Sequence, residues 1–90
     1  MSESDALQAI EEHREAIDAL DRQIVELLNA RAAKSLEIRA LKPEARLGLF
    51  DPRREEEIFE KITAHNPGPL YGDDLLAIYQ AILRVSKEMH

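Results

Sequence analysis

An all-α fold is predicted by three features of the sequence. No glycine or proline falls between Asp5 and about Leu41, the apolar set is mostly Leu, Ile and Ala with aromatics at only 4%, and strong helix breakers punctuate the remainder. Unbranched and small apolar side chains lose little freedom in a helix, whereas strands favour β-branched and aromatic ones. The expected order is a long helix, a short helix and a medium one.

The first helix is marked by Leu7, Ile10, Ile17, Leu20, Ile24, Leu27, Leu28 and Ile38, which recur at spacings of three and four. It stops near Lys42-Pro43, because a residue that precedes proline is pushed out of the helical region. A polar connector containing Gly48 leads to Asp51-Pro52, where aspartate suits an N-cap and proline the first helical position. The second helix runs from there to about His65. Asn66-Pro67-Gly68-Pro69 breaks the chain again, and Gly72-Asp73 opens a third helix carrying Leu75, Leu76, Tyr79, Ile82, Leu83, Ser86 and Met89. With no internal repeat, low-complexity segment or interdomain linker, residues 1–90 are expected to form one domain.

The first helix is too long for that domain. Roughly 36 residues at 1.5 Å each give about 54 Å, whereas a compact globule of 90 residues is about 30 Å across. A chain of this size is also marginal at burying a core by itself. A second copy of the same helix is the simplest cover, which makes the expected assembly an isologous homodimeric helical bundle.

Composition narrows the partners. A net charge of −6 opposes binding to nucleic acid or to an anionic membrane surface. Without cysteine there is neither disulfide nor thiolate chemistry, and His13, His65 and His90 are too scattered for a metal-ligand motif. The opening MSESDALQAI lacks the basic start and apolar run of a signal peptide, and no apolar stretch reaches membrane-spanning length, so a cytoplasmic protein is expected.

Several polar residues stand where the helical period calls for apolar ones. Projected at about 100° per residue, Arg31, Ser35 and Lys42 fall within about 40° of Ile17 on the stripe of Leu20, Ile24 and Leu28, and Arg14 lies about 60° away at its edge. Glu55 projects between Ile58 and Phe59 in line with Ile62, and Ser86 and His90 align with Leu75, Tyr79 and Leu83. One such arginine commonly snorkels or pairs, but agreement across three helices points to a site. Ser35 alone reads as a small packing residue, and His13 and His65 read as surface residues. A single Glu cannot neutralise Arg14, Arg31 and Lys42, so the interior expects an anion. Two arginines suit two carboxylates and a Glu accepts from a hydroxyl, which describes a small dianion with at least one hydroxyl group.

These residues resemble the all-helical, class II chorismate mutases. The resemblance rests on Arg14-Glu15-Ala16-Ile17-Asp18-Ala19-Leu20-Asp21, on Leu27-Leu28-Asn29-Ala30-Arg31, on Lys42, on Asp51-Pro52-Arg53-Arg54-Glu55 and on Ser86, in order and spacing over nearly the whole chain. It implies a three-helix protomer with a long first helix, intertwined with a second copy to form two equivalent active sites. Arg31, Lys42, Asp51, Glu55 and Ser86 would line the site of their own chain, and Arg14 would enter the partner's. Arg14 and Arg31 would hold the substrate carboxylates, and Lys42 would bridge a carboxylate and the ether oxygen. Glu55 and the Asp51 backbone amide would receive the ring hydroxyl, with Ser86 assisting at a carboxylate. The family usually carries Gln or Glu four residues after the serine, where this sequence has His90. A neutral imidazole can still donate one N–H to the ether oxygen.

The activity so implied is the rearrangement of chorismate to prephenate in aromatic amino-acid biosynthesis, without cofactor or metal. It needs no nucleophile, acid or base, and the sequence offers none of the usual constellations for them. Two rivals stand beside it. One is isochorismate pyruvate lyase, against which the intact Asp51-to-Glu55 segment speaks; the other is a non-catalytic helical dimer acting as a regulatory module, in which the basic residues are merely ion-paired.

Overall fold

The computed structural model describes residues 2–46, 48 and 51–89. They form α1 (Glu3–Leu41), α2 (Pro52–Ala64) and α3 (Gly72–Glu88), with no strand among the described residues. The long, short and medium order read from the sequence is the order observed.

Each terminus has a local chemical cause. α1 begins at Glu3, two residues before Asp5, because the Ser2 hydroxyl accepts from the Asp5 N–H at 3.1 Å and the Ser2 carbonyl from the Ala6 N–H at 3.0 Å. At its other end the Lys42 N–H still reaches the Ile38 carbonyl at 3.0 Å, and the chain then turns through Pro43 into Arg46, whose φ of 59° is left-handed. Asp51 caps α2 by accepting from the Arg54 N–H at 3.1 Å, with Pro52 behind it in the first turn. After α2, Asn66 organises the breaker: its side-chain oxygen accepts from Gly68 N–H at 3.0 Å, and its amide nitrogen donates to the Leu70 carbonyl at 2.7 Å. Gly68 itself has a φ of 78°, a conformation that a Cβ disfavours. At the start of α3 the Asp74 carboxylate accepts from the Tyr71 N–H at 3.3 Å.

The end of α3 differs from the sequence expectation. Met89, which the period assigns to the helix, is extended at φ −66° and ψ 147°, and the helix stops at Glu88. Arg39 donates instead to the carbonyls of Ser86, Lys87 and Met89, the first two of which a further turn would have used. His90 lies outside the described residues.

The chain divides into two compact units, Met1–Lys34 and Ser35–His90. The first holds α1 as far as Lys34 and no other helix, and no residue of α1 is buried. The stripe expected to be covered is open on the single chain, with Ile17 54%, Leu20 55% and Ile24 52% exposed. Periodicity identifies a face for burial but not the body that buries it. In the second unit α2 packs on α3 around Leu83, the one buried apolar residue among those described. Ile58, Phe59, Ile62, Leu75, Leu76, Tyr79 and Ile82 are half-buried beside it. The core is small, as the length of the chain requires.

Removal of the Asp51 cap is expected to cost about 1 kcal/mol of stability in Asp51→Ala, whereas Asp51→Asn keeps most of it. Urea unfolding of both variants at one fixed protein concentration measures the difference.

Candidate functional site

The second unit holds four of the residues singled out in the sequence: Lys42, Asp51, Glu55 and Ser86. The Asp51 cap sets the first turn of α2, and the Glu55 N–H closes it on the Asp51 carbonyl at 3.2 Å. Glu55 therefore sits where the helix dipole favours a carboxylate. Its side chain is 24% exposed and its Oε1 lies 2.5 Å from Nζ of Lys87 on α3. Ser86, one residue earlier on α3, is half-buried, and its carbonyl accepts from Nη2 of Arg39 at 3.2 Å. Lys42 follows the last residue of α1 and is half-buried.

Arg14 and Arg31 belong to the first unit. Arg31 is half-buried, as its place on the stripe suggests. Arg14 is 71% exposed at its side chain and approaches Glu11 at 4.0 Å, one turn away, a contact too open to water to hold the guanidinium in place. His13 and His65 are exposed, and Ser35 is half-buried. Among the described residues no group of histidine, cysteine or carboxylate side chains is large enough to hold a metal ion, and no helix is long and apolar enough to cross a membrane.

Two residues that matter to this geometry were missed in the sequence. Arg39 projects about 40° from Ile17, as close to the stripe as Arg31, so its position carried the same signal. Its Nη2 also donates to the Lys87 carbonyl at 2.8 Å, so one guanidinium closes the end of α3 from α1. Lys87 gave no comparable signal. Its pairing with Glu55 depends on how α2 and α3 lie side by side, which the period of either helix does not state.

The arrangement joins a basic residue after α1, a carboxylate opening α2 and a hydroxyl near the end of α3 within one compact unit. The family model of chorismate mutase type II matches residues 13–90. The chain belongs to that family. It is 38% identical over 82 residues to the bifunctional chorismate mutase/prephenate dehydratase of Aquifex aeolicus, covering 86% of this chain and 22% of that protein. It is 33% identical over 88 residues to the protein so named in Stutzerimonas stutzeri, covering 92% of this chain and 23% of that one. The chain thus spans less than a quarter of the length of these relatives. Among solved structures, it matches chorismate mutase from Thermus thermophilus in two forms. Form I aligns with a TM-score of 0.83 at 35% identity, over 87% of this chain and 98% of that one. Form II aligns with a TM-score of 0.86 at 33% identity, over 90% of this chain and 92% of that one.

Replacing Arg39 by Met is expected to remove roughly 1–3 kcal/mol of stability, since its hydrogen bonds are charge-assisted and those to Ser86 and Met89 are partly buried. Arg39→Lys should recover only part of this, because one ammonium cannot span three carbonyls as a guanidinium fork does. Chemical unfolding of the two variants beside the parent protein reads both effects.

Proposed function

We propose that this protein is a homodimeric chorismate mutase that converts chorismate to prephenate in the cytoplasm, without cofactor or metal. What supports this reading is that Lys42, Asp51, Glu55 and Ser86 fall within one compact unit of a chain that belongs to the type II family. The rearrangement is intramolecular, so the protein's part is to hold a flexible substrate in its reactive conformation and to favour the charge that develops as the ether bond breaks. In our reading Arg14 and Arg31 grip the two carboxylates, with Ser86 assisting. Lys42 places its charge at the departing ether oxygen. Glu55 and the Asp51 amide take the ring hydroxyl, and His90 donates a second hydrogen bond to the ether oxygen.

The dimer belongs to the same proposal. α1 carries Leu7, Ile10, Ile17, Leu20, Ile24, Leu27 and Leu28 at exposures of 41–69%, a stripe far larger than a lone soluble helix maintains. A second copy of α1 covers it with the same surface. On this reading residues 1–90 act as one domain completed by the partner, and Arg14 serves the partner's site. Incubation with chorismate and with isochorismate separates the two rivals: a lyase would turn over isochorismate, and a non-catalytic module would turn over neither substrate.

Three outcomes are expected. Chorismate is converted to prephenate, followed by the loss of chorismate absorbance, and Lys42→Ala lowers kcat/KM by about a hundredfold or more, as loss of a charge-assisted bond to developing charge requires. Sedimentation finds a dimer at low micromolar protein. Arg14→Ala and Arg31→Ala are each inactive, but exchange of subunits between them restores activity, because one site in each hybrid dimer then carries neither substitution.

A further inference from the structure

The rearrangement just proposed makes no use of the ion pair between Lys87 and Glu55, in which Nζ lies 2.5 Å from Oε1. Lys87 is about half exposed at its side chain, whereas that of Glu55 is only 24% exposed, so water reaches the pair mainly from the lysine side and screens part of its attraction. Its placement is more informative than its strength. Glu55 is the carboxylate assigned to the substrate hydroxyl, and the substrate brings two carboxylates of its own. A further negative charge in that site repels the ligand at close range, and more so once water is displaced. An ammonium bound to Glu55 cancels the repulsion without blocking the carboxylate, since one oxygen can be held while the other keeps its accepting capacity. Lys87 is itself anchored, because its carbonyl accepts from Nη2 of Arg39 at 2.8 Å and those of Ser86 and Met89 also accept from Arg39. The lysine thus starts from a fixed point on α3.

Resting on the proposed function, we infer that Lys87 is a positioning residue of the site: it neutralises and orients Glu55 so that a carboxylate can face a dianionic substrate. It acts through Glu55 and not on the reacting atoms. Its loss therefore weakens substrate binding more than the chemical step.

The test is steady-state kinetics on chorismate for the dimeric parent protein, Lys87→Met, Lys87→Arg, Glu55→Gln and the double variant Glu55→Gln/Lys87→Met. We expect Lys87→Met to raise KM about tenfold while kcat changes by less than about threefold, and Lys87→Arg to recover most of the loss. In the Glu55→Gln background, where there is no charge to neutralise, Lys87→Met should shift KM by less than about twofold. An unchanged KM in Lys87→Met overturns the inference. So does an equal rise in both backgrounds, which would make Lys87 a direct attractor of the anion. A fall in kcat and helical content together, unrelieved in Lys87→Arg, overturns it in favour of a purely structural lysine. Should the parent protein fail to convert chorismate, the functional reading falls and this inference with it, whereas an active parent with an indifferent Lys87 removes the inference alone.

Discussion

The constraint on which the rest depends is the uncovered apolar face of α1. A 39-residue helix with no buried residue cannot be stable through its own packing, because short-range helix propensity offsets only part of the cost of ordering a chain. Tertiary burial has to supply the remainder. The second unit has one buried apolar residue of its own among those described and little to spare. Under the proposed dimer, the surface that completes the fold is also the surface that brings Arg14 to a site, so folding and binding draw on the same contact. An enzyme built this way has no separate scaffold behind its active site.

A second dependence runs through Arg39. Helix ends carry four carbonyls without intrahelical partners, and α3 meets this need with a side chain from another helix, not with a glycine turn. The consequence is that the residues near Ser86 and Lys87 take their position from α1. Lys42 lies three residues beyond Arg39 on the same stretch of chain. Two parts of the candidate site are therefore tied to one short segment of backbone.

How much of this was legible in the sequence follows from which interactions are local. The breaks at Pro43, Asp51-Pro52 and Asn66 to Pro69 fall where the sequence put them, because proline and N-cap chemistry act within a few residues. The start of α1 came earlier than the apolar period indicated, since the Ser2 hydroxyl extends a helix without adding an apolar residue. Met89 was misplaced because periodicity reports a face and is silent about a competing cap from a distant arginine. Arg39 projects onto the stripe beside Arg31 and Lys42, so its position was legible, but its partners on the last turn of α3 were not. The Lys87–Glu55 pair needed the register of one helix against another, which no single-helix period contains. The helix that carries the stripe was read correctly, whereas the exposure of the stripe on the single chain shows the limit of a pattern that names no partner.

The length of α1 has an evolutionary corollary. Inserting one residue into a continuous helix turns everything beyond it by about 100° and advances it by about 1.5 Å. Arg14, Arg31, Arg39 and Lys42 all depend on one such helix or the turn that ends it, so a single insertion among them would swing a guanidinium or ammonium away from the face it serves. Substitution can proceed along α1 while its length stays frozen. Variation in length among descendants of this gene belongs in the connectors that follow Pro43 and Asn66, where an added residue lengthens a turn and leaves the ruler unmarked.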